Sequence, residues 1–213
     1  MSPNGLRDRT QLQEILSLVL DRWDPAASGI RYRLVGTGAA LAQGVPLPAG
    51  DIDVLVARRQ DVDGFADALA GFPCLEPPAW LPDARQYFTH FAVDGVDVGA
   101  STVEVPTGAD TFECIGSGPW KFYVPTTVGR HTVAAVALEL RLVSELVRDR
   151  PDRYLPLIEH LRSHGSDLDL IRRSMIDRGV EPGTRHRVLA QLESRPQPAA
   201  ECGLTPRGRP TPD

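Results

Sequence analysis

Gly50-Asp51-Ile52-Asp53-Val54-Leu55-Val56 is the stretch on which the reading of this chain turns. The apolar run from Val54 and the β-branched Ile52 give it the character of a buried strand. Alternate residues of a strand share a face, so Asp51 and Asp53 project together with Cα atoms about 7 Å apart. Two carboxylates aimed at one spot repel, and one takes up a proton unless a cation lies between them. A hard divalent ion with oxygen ligands meets that need. Taken alone the pair is a weak signal, since two aspartates at a strand mouth can simply face water.

The flanking sequence adds to it. Ile30 to Val35 alternates as a half-buried strand does and ends in Gly36-Thr37, with thirteen residues between Thr37 and Asp51. A glycine lets backbone approach a phosphate closely, and the hydroxyl after it can donate to phosphate oxygens. Downstream, Gln86 to Val93 and Val96 to Val105 flank Asp94-Gly95, the signature of a β-hairpin. Asp97 stands in the second run between two valines. If that strand lies beside Asp51 to Val56, three carboxylates meet, and three can hold two metal ions about 4 Å apart for phosphoryl chemistry.

Elsewhere the chain alternates helix and strand signals. Thr10-Gln11-Leu12-Gln13 reads as a capping box opening an amphipathic helix to about residue 23, and Ala39 to Gln43 as a short helical piece. Asp61 reads as the cap of a helix that Gly71 stops, followed by a proline-rich connector. A short strand is expected near Trp120 to Val124. The periodicity of Val133, Val136, Ala137, Leu140, Val143 and Val147 predicts a helix over 131–148, and three more follow at 153–163, 167–178 and 184–192. The segment from Arg195, rich in Pro, Gly and Ala, is expected to be disordered. This divides the chain into a catalytic domain at 1–125, a helical region at 126–194 and a tail at 195–213. The fold class is α+β: a mixed sheet flanked by helices, then a small helical bundle.

Composition sets bounds on function. The 213 residues are 42% hydrophobic and 24% charged, with no apolar run of membrane-spanning length and no signal-peptide pattern. Cytoplasmic location is the expectation. Cys74, Cys114 and Cys202 are too scattered for a metal set or a disulfide framework. His160 and His164 are four apart and could share a helix face, but no Cys or acidic partner completes a zinc set nearby, which suits surface or structural residues better than zinc. Residues 1–125 carry a net charge of −7 and residues 126–213 carry +2. So acidic a front half disfavours a broad nucleic-acid footprint there and suits a metal or a cationic substrate.

The order Val35-Gly36-Thr37, a gap, Asp51-Ile52-Asp53-Val54 and then Asp97 resembles the signature of the nucleotidyltransferase superfamily with the DNA polymerase β-like fold. Thr37 stands where Gly or Ser is usual and keeps the hydroxyl. The resemblance covers about residues 30–105. It implies that Asp51, Asp53 and Asp97 hold Mg²⁺ or Mn²⁺, and that Asp97 helps deprotonate an acceptor hydroxyl. Gly36 and Thr37 would hold the β and γ phosphates of an NTP (ATP among the candidates), whose α-phosphate is attacked with release of pyrophosphate.

Lys121, Arg58 and Arg59 are candidates for triphosphate contacts, and Trp120 and Tyr123 for base stacking. The charged three read more readily as solvated surface charges, and the two aromatics as core or rim packing. Glu104, seven residues from Asp97, falls on the opposite face of a regular strand, and Gly116-Ser117-Gly118 reads as a plain turn.

By size the chain is similar to antibiotic-modifying enzymes acting on aminoglycosides or lincosamides, and to AbiEii or minimal-nucleotidyltransferase enzymes acting on tRNA or a partner protein. The latter usually carry a lysine-bearing helix after the sheet, whereas this chain reads Ala137-Leu138-Glu139-Leu140-Arg141-Leu142. A non-catalytic module that binds a nucleotide or a protein is the reading from another class. Sequence leaves the acceptor and the oligomeric state open.

Overall fold

The computed structural model describes residues 6–104 and 121–194. Its elements are α1 (Arg9–Trp23), β1 (Tyr32–Val35), α2 (Gly36–Ala42), β2 (Asp51–Val56), α3 (Arg59–Ala68), β3 (Cys74–Leu81), β4 (Gln86–Val93) and β5 (Val96–Thr102). After these come β6 (Tyr123–Val128), β7 (His131–Val136), α4 (Leu138–Val147), α5 (Pro151–His164), α6 (Leu168–Asp177) and α7 (Pro182–Glu193). The strands form one mixed sheet in the order β3-β4-β5-β2-β1-β7-β6. This is the α+β class expected from sequence.

Period-two alternation assigns each strand residue to a face. Leu34, Ile52, Val54, Val56, Val98 and Ala100 point to one side, where they are nearly inaccessible and pack with Leu12, Leu16 and Val19 of α1 and Val62 and Phe65 of α3. Trp23 and Phe91 meet the Phe65 ring edge-on at centroid distances of 5.1 and 6.4 Å. The C-terminal helices build a second core from Leu142, Leu157, Ile171, Met175 and Val188, which Ala40, Val45 and Leu47 join from the α2 region. That bundle leaves the other face of β2, β5 and β4 lining an open cleft.

Several local expectations are corrected. The N-cap of α1 is Asp8, whose carboxylate accepts from the Gln11 amide, so the capping box at Thr10 lies two residues too late. Asp61 caps nothing. It sits inside the first turn of α3, buried, and accepts from the Arg58 guanidinium at 2.7 Å. The helix expected over 131–148 begins only at Leu138, because 131–136 form β7. Val133 and Ala135 bury one face there, and β7 pairs with β6 on one side and with β1 on the other, at Leu34↔Ala135. Strand and helix periods coincide over so short a run. Gly129, with φ +56, makes the tight turn between β6 and β7. The sheet therefore extends past residue 125, where the sequence reading placed its end.

The proline-rich connector contains strand β3, which tolerates Pro77 and Pro78 because it is an edge and breaks register beside them. The hairpin of β4 and β5 stands as expected, with Asp94 at φ +49 and Gly95 at φ +80 in its turn. The strand expected near Trp120–Val124 is seen from Tyr123. Trp120, Gly116-Ser117-Gly118, Cys114, Cys202 and the tail from Arg195 lie outside the described residues.

Candidate active site

Strand pairing assembles the carboxylates. β2 and β5 run parallel with Asp51 opposite Asp97 and Asp53 opposite Gly99. Paired residues on neighbouring strands share a face with Cα atoms about 5 Å apart, so all three aspartates project from one patch of the sheet. Asp51 is exposed at the strand mouth, and Asp53 and Asp97 are half-buried. The sequence could not say whether β5 lies beside β2. The register answers it.

Gly36 and Gly99 shape the ground around Asp53. Gly36 begins α2 with φ +67, and a Cβ there would stand 3.3 Å from Asp53 Oδ2. The backbone thus closes on the carboxylate in a conformation that glycine allows. At Gly99 a Cβ would come within 3.2 Å of Asp53 Oδ1 and collide with the ring of His90, which lies across that position from β4. His90 Nδ1 is 3.4 Å from Glu76 Oε2 on β3. Thr37, by contrast, is 5% exposed inside α2 and does not line the cleft.

Asp97 shows electrostatic tension. Its Oδ1 is buried with no hydrogen-bond partner. Burial holds its carboxyl above the usual range; the negative charges of Asp51 and Glu76 push the same way, and His90 opposes them. Such a group accepts a cation readily. The all-oxygen donors Asp51, Asp53 and Asp97 are of the kind that Mg²⁺ or Mn²⁺ takes, and the orphaned Asp97 oxygen fits that ion. As they stand, no three His, Cys, Asp or Glu side chains among the described residues are gathered into a ready metal cage. The register supplies the three donors on one shared face.

The cleft encloses about 340 Å³. Val35, Gly36, Asp51 and Asp53 form one end, and Glu76, Phe88 and His90 continue along the sheet. Arg141 of α4 and Arg148 at its C-cap stand on its wall. These arginines escaped the sequence reading. Their signal was there, because Arg141 interrupts the apolar stripe of the helix following the sheet.

The other candidates lie elsewhere. Arg59 makes a two-pronged pair with Glu104 at 2.8 and 2.7 Å and stacks near Trp80 and Tyr87. Arg58 is tied to Asp61. Lys121 is exposed and its carbonyl accepts from the buried Arg33, whose guanidinium lies 5.1 Å from the Tyr123 ring centroid. His160 and His164 stack at 4.1 Å in a second cleft with Arg9 and Glu139.

No protein-family model matches this sequence, and no curated protein does. Among solved structures, a candidate nucleotidyltransferase from Thermotoga maritima superposes with a TM-score of 0.52 at 15% identity, covering 74% of this chain and 96% of that one. An antigenic nucleotidyltransferase-like protein from Paracoccidioides brasiliensis gives a TM-score of 0.48 at 10% identity, over 88% and 95% of the two chains. At such identity, the likeness to the Thermotoga protein is one of fold.

Proposed function

We propose that this protein is a metal-dependent nucleotidyltransferase, moving an NMP from an NTP to a hydroxyl acceptor. The observation that carries the proposal is the Asp51↔Asp97 register, with Asp53 on the same face beside Gly36. The fold shared with a candidate nucleotidyltransferase supports it. The acceptor oxygen attacks the α-phosphorus in line, the bond to the bridging oxygen breaks, and pyrophosphate leaves with the electron pair.

Asp51, Asp53 and Asp97 would hold Mg²⁺ or Mn²⁺, which when bound neutralises phosphate charge and orients the reacting oxygens. Gly36 leaves room for the phosphates next to Asp53. Arg141 and Arg148 supply positive charge to them from the facing wall. Asp97, on the same face as Asp51, would help take the proton of the acceptor hydroxyl.

For the acceptor we favour a cationic, hydroxyl-bearing small molecule of the aminoglycoside type over tRNA or a partner protein. Glu76 extends the acidic lining away from Asp51 and Asp53, and a protonated amine would be drawn there. An enzyme of this kind would work in the cytoplasm, where NTP is plentiful.

The test uses labelled NTPs with Mg²⁺ or Mn²⁺ and a panel of aminoglycosides, lincosamides, tRNA and protein acceptors. Wild-type protein transfers label, and Asp51→Ala/Asp53→Ala does not. Transfer that survives the double substitution overturns the assignment. NTP binding with no transfer to any acceptor would favour a binding module instead.

A further inference from the structure

We infer that Glu145 is the positioning residue for the phosphate side of the cleft, holding Arg141 and Arg148 where they face the donor triphosphate. The inference rests on the nucleotide-donor reading above and deepens it. Arg141, Glu145 and Arg148 follow one another at i, i+4 and i+7, and so share a face of the helical run from α4 into its C-cap. Glu145 is 1% exposed and Arg141 is 2% exposed. Placing a carboxylate so deep carries a heavy desolvation cost, which apolar residues of the same volume would avoid. Arg141 donates directly to Glu145 Oε1, and Arg148 and Arg153 approach the same oxygen at 3.9 and 3.8 Å. Oε2 is buried with no hydrogen-bond partner.

The three guanidiniums around this carboxylate are placed unevenly. Arg141 and Arg148 line the cleft that holds Asp51 and Asp53, while Arg153, reaching in from α5, does not. A long arginine normally gives up rotamer freedom when it binds an anion. One already tied to a buried carboxylate has given it up on folding, so a phosphate meets a preorganised cation. Glu145 touches no substrate in this arrangement and acts through the arginines.

The experiment compares Glu145→Asp and Arg153→Gln with wild type. Glu145→Asp keeps the charge and withdraws it by one methylene. Binding of a non-hydrolysable NTP with Mg²⁺ is read by calorimetry, KM and kcat by label transfer, and folding by thermal melting. We expect Kd and KM for NTP to rise about tenfold in Glu145→Asp, with kcat at saturation little changed. Arg153→Gln keeps wild-type affinity. Unchanged NTP affinity in Glu145→Asp, or an equal loss in Arg153→Gln, overturns the positioning role while leaving the nucleotidyltransferase reading intact. A wild-type protein that binds no NTP overturns both. A readout that needs no variant is the ¹⁵Nε resonances of wild-type arginines: NTP shifts those of Arg141 and Arg148 and spares Arg153, and silence at Arg141 and Arg148 refutes the inference even if Glu145→Asp fails to fold.

Discussion

Gly99→Ala separates the demands of the fold from those of the site. Gly99 lies within β5, outside the positive-φ region, so alanine fits its backbone without strain. Replacing a glycine inside a strand returns about 0.5–1 kcal/mol of conformational entropy. Against this, the new methyl would collide with the His90 ring and drive it outward. That ring has 38% of its side chain exposed and can swing away, losing the contact with Glu76, itself 53% exposed. An exposed pair of this kind contributes about 0–1 kcal/mol. The two effects nearly cancel, and Tm should move by no more than about 4 °C.

The site is affected differently. The methyl would sit 3.2 Å from Asp53 Oδ1, so the carboxylate must yield by a fraction of an ångström. Misplacing a reacting group by about 1 Å costs about a hundredfold in rate, and a shift of half that size about tenfold. The assay pairs thermal melting with pyrophosphate release under saturating acceptor. Melting close to wild type with activity down about tenfold or more is the expected result. Wild-type activity in Gly99→Ala would refute the close packing of His90 and Asp53 over β5, and a Tm loss of ten degrees or more would refute the claim that His90 moves freely.

Phe65 is fully buried between Trp23 and Phe91, and Phe65→Ala should cost about 3–5 kcal/mol, measured by urea unfolding. Asp21 receives His131 Nε2 at 2.6 Å and Arg130 at 3.1 Å, tying α1 to the β6–β7 turn. The His131 hydrogen bond is the main cause that lowers its carboxyl below the ordinary 3.8. A lowered folded-state value contributes stability above the unfolded pKa, lost as pH falls through the folded one. Asp21→Asn should therefore flatten the acid limb of a Tm-against-pH curve below about pH 4, and an unchanged limb would refute the linkage.

Much of the site was legible because its signals are local. The alternation of Asp51-Ile52-Asp53 needs only the strand period, and the Asp94-Gly95 turn defines the β4–β5 hairpin within a few residues. The α1 cap was misplaced because Asp8 and Thr10 both offer a side-chain oxygen near the helix start, and only geometry chooses between them. β7 was read as helix since Val133, Val136 and Leu140 satisfy the helical period while crossing from strand into helix. The signal that argues for a strand here is the Gly129-Arg130 turn. β3 was hidden by Pro77 and Pro78, which argue against a strand anywhere except at an edge, and edge position is a property of the whole sheet.

Sequence alone determined the chemistry on offer: two aspartates on one face, a third in a hairpin strand, a glycine at the close of the preceding strand, and the α+β class. Those follow from backbone periodicity and turn chemistry, which act over a few residues. Only the tertiary structure decided that β5 runs parallel to β2 in the register that sets Asp97 against Asp51, and that Arg141 and Arg148 line the cleft that holds Asp51 and Asp53. It also decided that Glu145 is buried among arginines rather than solvated on a helix surface. Strand order and helix placement answer to the burial of two cores shared by residues far apart in the chain, and no local pattern carries that information.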